Sequence, residues 1–224
     1  MLPLSDGLPA RRFPVVNVTL IAACFAVWLF YELPDLNAAI FHASFYPCTI
    51  DNACHGPEPW GISWITAMFL HGGFLHLAGN MLYLWVFGDN VEDAFGHLGY
   101  VVFYAVSGVA AGLTHIAANA QSSTPSIGAS GAIAGVLGAY LIMFPHASVR
   151  TLVFIGPFIT MPRLSALFLI GFWFVLQLFS GVASLGVHSE QTSGVAFWAH
   201  IGGFLAGVVL ALLFRPRRVV YSPG

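Results

Sequence analysis

The sequence predicts an all-α membrane protein: a bundle of six transmembrane helices whose fourth is short and partly sunken. Three observations predict it. Of 224 residues, 58% are hydrophobic and only 7% charged, against roughly a quarter charged in an ordinary soluble domain. The apolar residues gather into six runs. The seven basic residues, all arginine, fall on one side of a six-span topology. A chain this poor in charge has no ordinary solvated surface and must face lipid.

Crossing a hydrocarbon core of about 30 Å takes roughly 20 apolar residues of helix. The candidate spans are 15–30, 69–87, 99–117, 130–143, 164–182 and 195–214, within one domain covering 1–224. The first follows Arg11 and Arg12. It carries Trp28, Phe30 and Tyr31 where a signal peptide would have small residues for cleavage, so an uncleaved anchor is expected. The loop 32–63 is rich in proline, glycine and aromatic residues. A loop of this length and composition packs on the membrane surface or caps a site. Cys48 and Cys54 within it are spaced to allow a disulfide, whereas Cys24 is expected to pack inside the first helix. The fourth run is about 21 Å long as a helix and too short to cross alone. Stretch 151–161 is also apolar, but Pro157 and Pro162 interrupt it, and an interfacial loop or a lead-in to the fifth helix is expected there. Arg150 and Arg163 lie between the fourth and fifth spans, and Arg215, Arg217 and Arg218 follow the sixth. By the positive-inside rule both ends of the chain are cytoplasmic. One span more or fewer would have split the arginines between sides.

Several classes are disfavoured at this point. The net charge of −2 is uninformative about nucleic acid, but with no basic patch interleaved with aromatics no such partner is expected. No internal repeat supports a transporter built from inverted halves. No cofactor or metal is expected: a haem or metal protein using His76 and His200 is the rival, and metal-protease spacing such as His-Glu-X-X-His is absent.

Polar side chains inside a bilayer are costly and need a partner or a purpose. His71, His76 and Asn80 on the second span, Ser130 at the start of the fourth and His200 on the sixth stand out. His76 and Asn80 are four apart and share a helix face; His71, five residues earlier, is expected to turn away and brace the outer loop. Ser130 lies in Gly128-Ala129-Ser130-Gly131, where glycines permit an irregular approach to a helix start. A serine there is either an N-cap or a group beside free amides that can hold an oxyanion. Counting at 1.5 Å per residue puts Ser130 roughly 10 Å and His200 roughly 8 Å below the outer surface, in one layer. Gly131, Gly135 and Gly138 on the fourth span, with Gly203 and Gly207 on the sixth, allow those helices to approach closely.

The chemistry follows from the residue types. A serine hydroxyl is a weak nucleophile until a base takes its proton; His200 is suited to take it and return it to a leaving amine. His76, Asn80 and the Ser130 amide are suited to donate to an oxyanion. No carboxylate within the spans is placed to orient His200, because Glu32, Asp89, Glu92 and Asp93 lie at or beyond helix ends. A serine–histidine dyad is expected, with the orienting partner open.

At these residues the chain resembles the rhomboid family of intramembrane serine proteases. The resemblance rests on Gly128-Ala129-Ser130-Gly131, on Ala199-His200-Ile201-Gly202-Gly203 with Gly207, and on the segment from His71-Gly72-Gly73 through His76 to Asn80. Gly88-Asp89-Asn90-Val91-Glu92-Asp93 and Trp173-Phe174 with Gln177 also look like the family. The resemblance implies a serine endopeptidase that cleaves single-pass transmembrane proteins in or near the outer leaflet, usually after a small residue. Its partners would be those substrates and membrane lipid. It implies that Ser130 and His200 are catalytic, that His76 and Asn80 serve the oxyanion, and that Gly128, Gly131, Gly203, Gly207 and His71 are structural near the site. It also implies that the fifth helix, with Trp173, and the loop leading to the sixth govern entry of substrate and water. The expected setting is a prokaryotic plasma (inner) membrane, with the site open to the outer side. Two positions depart from the family. Ile62 and Ser63 stand where many relatives have Trp-Arg, and Ala134 where some have a tyrosine stacked on the base. A noncatalytic relative that binds membrane proteins is the alternative reading.

Overall fold

The computed structural model describes residues 1–50, 54, 60–184 and 196–214. Six helices form the bundle: α1 (Val15–Val27, continued by a π-helical turn Trp28–Glu32), α4 (Phe74–Phe95), α5 (His97–Asn119), α6 (Ser130–Met143), α7 (Ala166–Ser184) and α8 (Phe197–Phe214). Two short helices, α2 (Leu36–Ala43) and α3 (Trp60–Thr66), lie in the loop between α1 and α4. The start of the sixth span expected at residue 195, and the arginines after that span, lie outside the described residues.

α6 is the centre of the bundle. It is apolar on every side, and Gly131 through Tyr140 are all buried, as a helix enclosed by others requires. Glycine decides what encloses it. A Cβ at Gly203 would come 1.9 Å from the Gly131 carbonyl oxygen, and one at Gly207 equally close to that of Gly135. One at Gly138 would come 2.3 Å from the Phe204 oxygen. The α6 and α8 backbones therefore touch, the arrangement small residues make possible in lipid. α7 is the peripheral helix, with Leu167, Phe168, Val175 and Phe179 exposed to the surroundings.

The arginine-rich side is held by a polar hub. Glu92, buried in α4, accepts the Val16 and Asn17 amides at 3.0 and 2.7 Å, meeting the free donors and positive end of α1. Asn17 donates to the Leu84 carbonyl at 2.9 Å and accepts from the Tyr100 hydroxyl at 3.0 Å. Gly88 leaves room for that amide, since a Cβ there would lie 2.1 Å from Asn17 Oδ1. Asp93 pairs with Arg11 at 3.2 Å. The acidic residues at the end of α4 thus belong to a helix that runs on to Phe95, past the apolar limit at residue 87 expected from sequence.

A small sheet on the same side corrects one expectation. Residues 148–165 form strands rather than a loop: β2 (Ser148–Ile155), β3 (Phe158–Thr160) and β4 (Arg163–Ser165), joined by an N-terminal strand β1 (Leu2–Asp6). The order is β1-β2-β3, with β4 also pairing β2. Pro157 occupies the two-residue turn after Gly156, whose φ is +59°, and Pro162 falls between β3 and β4. Both prolines punctuate the strands without removing a ladder donor. The β-branched residues Val149, Thr151, Val153 and Ile155 favour extended pairing.

Asp6 fastens β1 to the bundle: its Oδ2 accepts from the Tyr140 hydroxyl and, at 2.9 Å, from Asn90 Nδ2. Burial pushes the Asp6 carboxyl up, and burial together with the charge of Asp6 pushes Asp89 up to about 6. A raised carboxyl contributes stability that is full below its unfolded value and is lost as pH rises through the folded one. β1 should therefore dock more firmly at pH 5 than at pH 7.5, read as slower amide exchange in β1 and its β2 partners. Asp6→Asn, which keeps the acceptor and removes the charge, should flatten that dependence.

On the opposite side, Cys48 and Cys54 form a disulfide with Cα atoms 5.5 Å apart, and Cys24 is buried and free. Asp35 caps α2 by accepting the Ala38 amide at 3.0 Å. Phe45 and Ser126 exchange backbone hydrogen bonds. That bridge ties the loop to the segment leading into Ser130.

Candidate active site

Ser130 is the first residue of α6, and the approach to it depends on Gly128. That glycine has φ +114°, a region L side chains rarely adopt, and its amide donates to the Ala67 carbonyl at 2.8 Å. A Cβ there would also come 2.9 Å from the His76 ring. The turn and the closeness of His76 both exclude a side chain.

His200 reaches Ser130 from α8, with Nε2 2.9 Å from Oγ. Its other nitrogen, Nδ1, lies 2.9 Å from the amide oxygen of Gln177 on α7. An amide oxygen only accepts, so Nδ1 carries the hydrogen and Nε2 presents its lone pair to the serine hydroxyl. The partner of His200 left open by the sequence is therefore Gln177. Trp173, one turn earlier on α7, sits with its ring centroid 5.8 Å from that of His200; it leans into the site rather than simply facing lipid. Ala134, where some relatives have a stacking tyrosine, is buried in α6.

His76 and Asn80 border Gly128. Asn80 Nδ2 is buried and has no hydrogen-bond partner, so a strong donor stands idle beside the serine turn. A Cβ built at Gly128, two residues before Ser130, would lie 3.6 Å from that nitrogen.

His71 departs from the helical count. It precedes α4, so the helical offset of five residues does not apply, and its ring lies 5.1 Å from that of His76, edge to face. Glu32 holds this segment by accepting the His71 backbone amide. Glu32 is itself fully buried, not exposed beyond its helix end. Only the cost of a carboxylate at the end of an apolar run hinted at such a partner. His115 lies near the end of α5, where its carbonyl accepts from Asn119 Nδ2 at 3.1 Å.

One cavity adjoins the serine, and a second shares part of its lining. The first, about 50 Å³, is walled by Gly108, Ala111, Gly112, Gly131 and Ala199 beside Ser130. The second, about 80 Å³, is rimmed by His115, Asn119 and Thr124 and shares Ser126, Ile127 and Ala196 with the first. Among the described residues no cluster of His, Cys, Asp or Glu could hold a metal.

A serine hydroxyl against an oriented imidazole, at the sunken start of a short helix, is the arrangement the rhomboid resemblance implied. A family model of the rhomboid domain matches residues 58–217. The chain belongs to the rhomboid family. It is 33% identical over 168 residues to RHOMBOID-like protein 5 of Arabidopsis thaliana, covering 74% of this chain and 48% of that protein. It is 33% identical over 159 residues to the mitochondrial Rhomboid protein 1 of Saccharomyces cerevisiae, covering 66% and 40%. With the putative rhomboid protease YdcA of Bacillus subtilis it shares 34% over 137 residues, 59% of this chain and 64% of that one. The chain thus spans less than half the length of the first two. Rhomboid membership supports a protease-like activity within the membrane, in a family that also contains inactive members.

Proposed function

We propose that this rhomboid is a serine endopeptidase that cleaves single-pass transmembrane proteins in or near the outer leaflet, acting as one domain of six spans. The observation that carries the reading is the 2.9 Å approach of His200 Nε2 to Ser130 Oγ, with Nδ1 fixed by Gln177. Ser130 Oγ attacks the scissile carbonyl while Nε2 takes its proton. The carbonyl oxygen becomes an oxyanion held by Asn80, His76 and the Ser130 amide. The imidazolium then gives its proton to the leaving amine, and a water, deprotonated by the same nitrogen, hydrolyses the acyl-serine. The small cavity beside Ser130 fits a small side chain before the cut, and the second cavity offers water a polar route.

The arginines support a sidedness with both ends of the chain on the cytoplasmic face and the serine toward the outside. A prokaryotic plasma membrane is one setting that fits; two similar proteins are named as mitochondrial and one as chloroplastic.

The deciding experiment places purified protein in proteoliposomes with a tagged single-pass substrate and, separately, a fluorophosphonate probe. Cleavage, and labelling mapped to Ser130, are expected. A noncatalytic rhomboid-like binding factor would retain the substrate but give neither.

Gln177 carries a separate prediction. Gln177→Leu should lower kcat about 10- to 100-fold, ~1.4 to 2.7 kcal/mol, with KM little changed, because the substrate-binding walls are untouched. Gln177→Glu should restore much of kcat and move the acidic limb of the pH–rate profile upward, since a carboxylate favours the protonated base. A purely structural role for Gln177 would leave that limb in place.

A further inference from the structure

The hairpin formed by β2 and β3 carries a pattern that neither the fold nor the proposed reaction uses. In a strand, alternate residues share a face, so Arg150, Leu152 and Phe154 lie together. The register sets Arg150 opposite Arg163, and Phe154 opposite Ile159. One face of β2 is thus ordered along its length: at the base Arg150 opposite Arg163 of β4, then Leu152 opposite Leu2 of β1, then Phe154 opposite Ile159 of β3 toward the Gly156-Pro157 turn. Asp6 does not answer the arginines. It pairs with Val149 in register, on the other face of the sheet, and its carboxylate turns inward to Tyr140.

Both parts of the pattern are unfavourable in water. Like charges directly opposite each other destabilise a strand pair, and among the described residues neither arginine has an ion-pair partner. Toward the turn, Phe154 and Ile159 on one face, Phe158 on the other and Met161 just beyond β3 are 56, 62, 70 and 62% exposed. A surface with one apolar face could pack on the bundle; a tip apolar on both faces needs an apolar medium around it. Position names the medium. β4 runs without a break into α7, whose Leu167 and Phe168 are exposed on the lipid-facing surface, and the hairpin lies on the arginine-rich side.

The geometry points to a lipid-anchored fin: the β2–β3 tip inserts among the lipids of the arginine-side leaflet, and Arg150 with Arg163 binds anionic headgroup phosphate at its base. Apolar insertion combined with basic contact is how short segments hold to an interface. Arg150 and Arg163 become a phosphate clamp rather than a repelling pair. The inference is independent of the proposed proteolysis.

The test uses the full chain with a nitroxide on Phe158→Cys, and a second label on Ser148→Cys at the sheet base, in nanodiscs. Cys24 is buried and Cys48 and Cys54 are bonded, so the unsubstituted chain reports background labelling. In nanodiscs rich in phosphatidylglycerol, the label at 158 should collide with oxygen in preference to aqueous nickel, and the label at 148 the reverse. Arg150→Gln with Arg163→Gln, or phosphatidylcholine alone, should weaken insertion roughly fivefold for each arginine–phosphate pairing removed, with far-UV circular dichroism unchanged. Nickel access at 158 equal to that at 148 would overturn the proposal and leave the tip to a soluble partner. Spin–spin broadening that grows with the number of chains per disc would overturn it in favour of a second copy.

Discussion

Ser130→Ala and His200→Ala should each lower kcat for a membrane-spanning substrate by at least about 10⁴-fold, and the double substitution should lower it little further. The size follows from what serine–histidine machinery contributes when its members act as a unit. Without the hydroxyl, His200 has nothing to deprotonate; without the imidazole, Ser130 stays protonated at neutral pH. The separation of 2.9 Å and the lone pair directed by Gln177 make the two residues one device. Initial rates in proteoliposomes over a pH series would read the effect. Substrate capture by Ser130→Ala should remain near parental, because the rest of the cavity wall, including Phe45, Trp64 and Met68, is unchanged. A Ser130→Ala rate within about a hundredfold of the parent, or losses that multiply in the double variant, would refute the mechanism.

Gly207→Ala should be almost as damaging although residue 207 lies two turns from the base. The added Cβ meets the Gly135 carbonyl oxygen at 1.9 Å, against ordinary contact from 3.4 Å, so α8 must move by about 1.5 Å. Overpacking of this kind costs about 1–3 kcal/mol, and a displacement near 1 Å at a reacting pair costs on the order of a hundredfold in rate. The variant should melt earlier and cleave at least about 100-fold more slowly. Gly171→Ala on α7 is the matched control: its Cβ meets nothing within 4 Å, and alanine is the better helix former by about 1 kcal/mol. That variant should be as stable as the parent or more so. Equal behaviour of the two alanines would show that the close approach of α6 and α8 is not what positions His200.

The helices were legible because lipid imposes its rules locally: an apolar run is visible residue by residue. The meeting of Ser130 with His200 was open to a depth count because both sit near helix starts at the same end, and the glycines of α6 and α8 show which faces are able to touch. Partnerships between side chains were not legible in the same way. Gln177 is 23 residues from His200, and nothing in its own helix says that it points inward. Glu32 looked like a helix-end carboxylate because its acceptor role depends on the backbone of His71, across a loop. Asn17 reads as an ordinary polar residue until Tyr100 and Leu84 are placed around it. The strands at 148–165 were obscured by their prolines, which mark turns in a hairpin as readily as they interrupt a helix.

The glycine seam between α6 and α8 also bears on biogenesis. His200 leaves the ribosome 70 residues after Ser130, on a helix that must seat backbone-to-backbone against α6 before its imidazole comes within reach. Until α8 is seated, the Ser130 hydroxyl stands without the imidazole that comes to lie 2.9 Å from it. A close-fitting late helix thus orders assembly: in the proposed mechanism, Ser130 gains its base only once the bundle is complete.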